Sequence, residues 1–203
     1  MLIWINGAFG AGKTQTAHEL ARRAPGTHVA DPELLGFALR KMLGSARAGD
    51  FQDLPQWRSG VLTTLRQTEN GHDGPVIVPM TLVKDDYFDE IVGSLRADGV
   101  DVRHFALMAN PETLRTRLSR RLAFYGGRLA GRNETWAMGQ IDRCLAALAT
   151  DRYATHVRTD DCPIDEVVES IAADVSLTLT QPRLSPAKYQ LRRFTVGVRH
   201  IRL

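Results

Sequence analysis

The chain has 203 residues, of which 43% are hydrophobic and 24% charged. That is enough apolar material for one sizeable core, and it argues against a disordered or fibrous chain. Its 26 basic and 23 acidic residues are unevenly spread: beyond Asp174 there is no Asp or Glu, while Arg183, Lys188, Arg192, Arg193, Arg199 and Arg202 all fall there. The remaining 20 basic residues stand against 23 acidic ones, so an acidic body at −3 carries a basic tail. Such a tail suits an anionic partner. No apolar run is long enough to span a bilayer. Two cysteines, Cys144 and Cys162, sit in unrelated segments and suggest neither a disulfide framework nor a metal site, which points to a cytoplasmic protein. A strand starting at once leaves no room for a signal peptide.

In chain order, Leu2-Ile3-Trp4-Ile5 reads as a buried strand. Gly7-Ala8-Phe9-Gly10-Ala11-Gly12-Lys13-Thr14 follows and fits G-x-x-x-x-G-K-[ST], the P-loop. A helix opens behind it, with Ala17, Leu20, Ala21 and Ala24 at helical spacing. Strand, glycine-rich loop and helix form the context in which backbone N–H groups wrap a phosphate and a helix N-terminus adds partial positive charge. Lys13 is expected to reach the β- and γ-phosphates of ATP, and Thr14 to hold Mg²⁺.

Pro25-Gly26 stops that helix, and His28-Val29-Ala30 is a short second strand. Asp31-Pro32-Glu33 reads as a helix start, ended by Gly44. Residues 45–53 read as loop, and Pro55 opens a third helix carrying Trp57, Val61, Leu62 and Leu65. Val76-Ile77-Val78 is a buried strand ending at Pro79. A helix over 85–97, a strand over 100–108 and a helix from Pro111 follow. That last helix is basic, with Arg115, Arg117, Arg120 and Arg121, and runs into a glycine-rich stretch over 125–133 with Arg128 and Arg132. A helix with Trp136, Ile141 and Leu145, a strand over 156–159 and a helix after Pro163 complete the body.

Alternating strands and helices predict an α/β fold, a parallel sheet with helices on both faces. Ligands then bind past the carboxyl ends of the strands. The P-loop, Asp31, Met80, Asn110 and Asp160 all follow strand ends, which predicts one site. Asp31 suits a carboxylate that accepts a proton from an attacking hydroxyl or positions Mg²⁺, and equally a helix cap. Arg117, Arg121, Arg128 and Arg132 suit a lid closing over a transferred phosphoryl group, or a solvated face. Trp57 and Arg58 offer a stacking face and a donor fork for an acceptor, although Trp57 fits a core position as well. The third strand ends without the acidic residue that often holds magnesium through water.

The tail repeats Leu184, Ala187, Leu191, Phe194, Val198 and Ile201 at alternating three- and four-residue spacing, one face of a helix. Residues 184–203 could thus lie on an anionic membrane surface or dock on the protein's own domain. The apolar stripe argues against a nucleic-acid partner.

The Ile3-Trp4-Ile5-Asn6-Gly7-Ala8-Phe9-Gly10 opening resembles the TmrB-type tunicamycin-resistance family. So do Asp31-Pro32-Glu33, Trp57-Arg58, Ile77-Val78-Pro79-Met80-Thr81, Gln140-Ile141-Asp142-Arg143-Cys144 and Leu191-Arg192-Arg193-Phe194. The stretch from Leu122 to Arg132 departs from the family in length. The resemblance implies a three-layer P-loop kinase-like fold, a five-stranded parallel sheet in the order 2-3-1-4-5. It implies ATP bound at Gly7, Ala8, Phe9, Gly10, Ala11, Gly12, Lys13 and Thr14. It also implies resistance to tunicamycin, a lipid-tailed nucleoside antibiotic, and a tail on the inner membrane face. The expected activity is ATP-dependent phosphoryl transfer to a hydroxyl of the drug, with sequestration of the drug or a sugar or nucleoside kinase as alternatives. Lys13, Asp31 and Arg121 are the expected catalytic residues. Asp160 is expected to join the ATP site, and Trp57, Arg58 and Met80 to join Asp31 at the acceptor. The expected domain runs over 1–180, with the lid at about 115–135, and the tail over 181–203.

Overall fold

The computed structural model describes residues 1–44, 49–125, 131–153 and 155–201; the side chains of 121–125, 131–134 and 197–201 lie outside that description. Five strands form one parallel sheet: β1 (Leu2–Gly7), β2 (His28–Val29), β3 (Val76–Pro79), β4 (Val102–Met108) and β5 (His156–Arg158). Their order is β2-β3-β1-β4-β5, as expected. β1 is central and wholly buried. Its alternation decides the layers: Ile3 and Ile5 enter one hydrophobic cluster, Leu2 and Trp4 the other.

Eight helical segments surround the sheet among the described residues: α1 (Lys13–Arg23), α2 (Pro32–Leu43), α3 (Pro55–Gly71), α4, α5 (Pro111–Tyr125), α6 (Gly131–Leu148), α7 (Ile164–Asp174) and α8 (Pro186–Ile201). α4 runs as α-helix over Asp85–Phe88, π-helix over Asp89–Gly93 and α-helix over Ser94–Ala97. Leu20 of α1, Leu114 of α5, Ile141 of α6 and Val168 of α7 cover the Ile3 face. Trp57 and Leu65 of α3 and Ile91 of α4 cover the Trp4 face.

Local chemistry sets the boundaries. Asp31 caps α2 by accepting from Glu33 N at 2.9 Å, with Pro32 at the first helical position, and Gly44 ends it at φ +58°. β2 and β5 each end one residue earlier than expected, and three stretches differ by more. A 3₁₀ turn, Phe51–Asp53, lies in the stretch read as loop, capped by Asp50. β4 starts at Val102, because Val100 still closes the helical turn through its bond to Leu95 O at 3.0 Å. α6 begins at Gly131, so part of the glycine-rich stretch is helical.

The tail returns to α1. Thr180 N and Gln181 N both donate to Arg23 O, at 2.8 and 3.1 Å. α8 then packs on α1 through Val196, which is buried, and through Arg192, which donates to His18 O at 3.1 Å and lies 3.6 Å from Glu19. The docked edge is therefore Tyr189, Arg192 and Val196, while Ala187, Leu191 and Phe194 of the apolar stripe remain exposed. Polar bonds from Arg192 draw its own side of the helix inward. Among the described residues no helix is long and apolar enough to cross a membrane.

Candidate functional site

β1 delivers the chain to the carboxyl edge of the sheet, where residues 7–12 turn back into α1. Gly10 and Gly12 take left-handed φ values of +85° and +102°. A Cβ at Gly10 would sit 3.1 Å from Leu114 O, and one at Gly12 3.2 Å from Ile164 Cδ1. Both positions thus need glycine for conformation and for space. Lys13 folds into the loop: Nζ donates to Gly7 O at 3.0 Å and to Ala8 O at 3.2 Å, and the residue is only 8% exposed. Its ammonium lies 5.5 Å from the Phe9 ring centre, and Phe9 meets Trp136 edge-on at 5.2 Å. The cradle, the ammonium inside it and the partly exposed Thr14 in the first turn of α1 suit a polyphosphate and its cation.

The loop is braced from below by residues that the motif does not contain. Asn6 is fully buried, and its Oδ1 accepts from Gly7 N at 2.8 Å and Leu82 N at 3.0 Å. Its Nδ2 donates to Leu82 O at 2.7 Å and lies 3.1 Å from His104 Nε2. One amide therefore ties the end of β1 to the chain after β3 and to β4. Thr81 Oγ1 donates to Gly7 O at 2.8 Å. Thr81 stands just past β3, close to where many P-loop proteins carry an acidic residue. A polar amide closing an apolar strand, Ile5-Asn6-Gly7, was the available signal for Asn6.

Asp31 follows β2 and lines a cleft of about 580 Å³ between α1, α2 and α8. Val29, Leu34, Leu184, Leu191 and Val196 form its apolar walls. Asp31 thus caps α2 and also borders open space.

The other expected acceptor contacts have structural surroundings. Trp57 is fully buried, with Nε1 donating to Pro32 O at 3.0 Å, so it presents no stacking face. Met80 is buried, and its carbonyl accepts from Trp4 Nε1 at 3.2 Å. Arg58 pairs with Glu90 at 2.5 Å, donates to Gln52 O at 2.8 Å and lies over Tyr87 at 4.3 Å. Beside it the bond from Lys84 holds the Asp53 carboxyl below its usual range. These groups lock α3 to α4 and to the chain after β3.

Beyond β5, Asp160 accepts from Asn110 N at 2.6 Å, and this bond holds its carboxyl below the usual range. Arg117 donates to Thr159 Oγ1 at 3.2 Å, to Thr159 O and to Asp160 O at 3.0 Å. Burial pushes the Arg117 pKa down, opposed by Asp160. Arg117 therefore joins α5 to the β5 edge. Arg121 and Arg132 lie in α5 and α6 with side chains outside the description, and Arg128 lies outside the described residues. The P-loop, Asp31, Thr81, Arg117 and Asp160 share one edge of the sheet, whereas Trp57 and Met80 are in the core beneath it. Among the described residues no cluster of three or more His, Cys, Asp or Glu could hold a metal ion.

Comparison with known proteins bears on the family and the fold. The AAA domain family matches residues 2–143. The tunicamycin resistance protein of Deinococcus radiodurans is 34% identical, with a TM-score of 0.72 over 89% of this chain and 99% of that one. A gluconokinase from Sinorhizobium meliloti is 19% identical, with a TM-score of 0.60 over 86% of this chain and 90% of that one. A sugar kinase from Janibacter sp. is 20% identical, with a TM-score of 0.58 over 87% of this chain and 94% of that one. These last two show a shared fold. No curated protein sequence matches the chain.

Proposed function

The chain belongs to the AAA-domain P-loop family and, within it, to the tunicamycin-resistance proteins, and from that premise we propose that it transfers the γ-phosphoryl group of ATP to a hydroxyl of tunicamycin or a related nucleoside antibiotic. The observation that carries the reading is the pairing on one edge of a phosphate cradle enclosing Lys13 with a carboxylate, Asp31, bordering an open cleft.

In this reading the N–H groups at the start of α1 hold the phosphates, helped by the helix dipole. Lys13 exchanges the carbonyls of Gly7 and Ala8 for β- and γ-phosphate oxygens. Thr14 would hold Mg²⁺, which would supply positive charge to offset that developing on the phosphate oxygens. Asp31 accepts the proton of the acceptor hydroxyl as its oxygen bonds to the γ-phosphorus; the bond to the bridging oxygen breaks and ADP leaves. Arg117, held at the β5 edge by its bonds to Thr159 and Asp160, is the described member of the lid set that would turn to the transferred charge.

Protein, ATP-Mg²⁺ and tunicamycin incubated together should yield drug heavier by one phosphate in the mass spectrum. Tight drug binding with no mass shift refutes transfer. One observation favours a second reading, ATP-dependent sequestration: Thr81, past β3, turns its hydroxyl onto Gly7 O and supplies no carboxylate. Sequestration predicts that Asp31→Asn spares resistance while Lys13→Ala abolishes it; transfer predicts that both abolish it.

A further inference from the structure

The cleft beside Asp31 has walls unlike those of a nucleotide site. Val29 and Leu34 face Leu184, Leu191 and Val196 across a volume of about 580 Å³. Leu34 is 45% exposed and Leu191 70% exposed, so apolar side chains stand open on both sides of one opening. Paired apolar walls of this kind mark a binding surface rather than scattered surface leucines. Arg22, Lys188 and Arg192 line the same cleft. Arg22 and Arg192 turn their charge to Glu19, whereas Lys188 is exposed, and a lysine can lay its stem along apolar surface and keep its charge in water.

The cleft exists because of how α8 docks. Glu19, nearly fully buried, pairs with Arg22 at 2.5 Å and lies 3.6 Å from Arg192. Gln15 Nε2 adds a bond to Arg193 O at 3.4 Å. These polar contacts hold one edge of α8 against α1, and the Leu191 edge is left standing opposite α2. A flat bilayer cannot enter a slot between two helices, but a single hydrocarbon chain can.

We propose that this cleft receives the single long acyl chain of an amphiphile whose polar head presents a hydroxyl at Asp31. The proposal rests on the reading of Asp31 as the acceptor-side carboxylate. Asp31 lines the cleft and follows β2, at the edge that also carries the P-loop, so a head held there can send its chain between Leu34 and Leu191. Lys188, exposed at the same cleft, can donate to the amide and carbonyl oxygens where a chain joins its head. An acyl chain thus becomes the part of the ligand that this chain recognises by burial. The remote burial then positions the hydroxyl.

The test separates chain recognition from catalysis. n-Alkyl maltosides of increasing length, titrated below their micelle concentrations by calorimetry, carry a chain and no nucleoside. The dissociation constant should fall about fourfold per added methylene, the equivalent of about 0.8 kcal/mol of burial, until the cleft is filled. Leu191→Asp and Leu34→Asp, both at exposed positions that tolerate the change in folding, should each flatten that series, with ATP affinity on the same samples reporting a folded loop. Tunicamycin should likewise bind at least about tenfold more tightly than its deacylated core, and the two variants should remove that difference. A series flat with chain length overturns the proposal. So does a slope retained in both variants, or a loss confined to retention on anionic vesicles. Chain-length dependence without any phosphate transfer supports it and refutes only the kinase reading; equal transfer to acylated and deacylated drug, with equal KM, refutes it and leaves the kinase reading standing.

Discussion

Replacing Asn6 by Ala is the sharpest test of how the phosphate loop is held. The amide is fully buried and serves Gly7 N, Leu82 N, Leu82 O and His104 together. Truncation leaves two backbone donors and one acceptor without it. A buried polar group left without a partner costs about 1–3 kcal/mol, and a water entering the vacated space would restore part of that. The expected loss is about 3–5 kcal/mol. For a chain of this size each kcal/mol moves Tm by about 2–4 °C, so Tm should fall by about 6–20 °C in a calorimetric scan. Because Gly7 opens the cradle, ATP affinity measured well below the new Tm should also drop, by about tenfold. A Tm within about 2 °C of the parent, with unchanged ATP affinity, would refute the claim that this amide braces the loop.

Lys13→Met removes two charge-assisted bonds that phosphates would receive, each worth about 1.5–3 kcal/mol, so ATP binding should weaken at least about a hundredfold by calorimetry. Tm should change little, since the buried charge leaves with its bonds. Gly36→Ala would place a Cβ 2.7 Å from the Phe51 ring, which itself packs 5.4 Å from Trp57. Overpacking there should cost about 1–3 kcal/mol in urea unfolding. Glu169 joins Arg183 and Arg23, and the bonds from Arg183 first and Arg23 second lower its pKa from 4.5 to about 2. A depressed folded-state pKa means the anchor is fully present above about 4.5 and is lost as pH falls towards about 2. Protease cleavage within 176–186 should therefore rise over that window, and Glu169→Gln should show the raised cleavage at neutral pH.

The sequence alone determined the features that depend on neighbours along the chain. The glycine spacing of residues 7–14, the apolar run of β1 and the Asp31-Pro32 cap are local, since backbone conformation and periodicity act over a few residues. Strand and helix alternation then limits the sheet to a parallel one, and the resemblance supplied its order. The tertiary structure decided what each side chain meets. Trp57 fitted both a stacking face and a core position, and only packing against Pro32 and Phe51 made it core. Arg58 had the chemistry of a ligand fork until Glu90 and Tyr87, contributed by a distant helix, took it up. The stripe through Leu191 was legible in the tail, yet the opposite edge docked, because the bonds of Arg192 to His18 O and Glu19 depend on residues some 170 positions away. Periodicity reveals that a helix has an apolar face; which face is covered depends on the groups opposite, and those are brought there only by the fold.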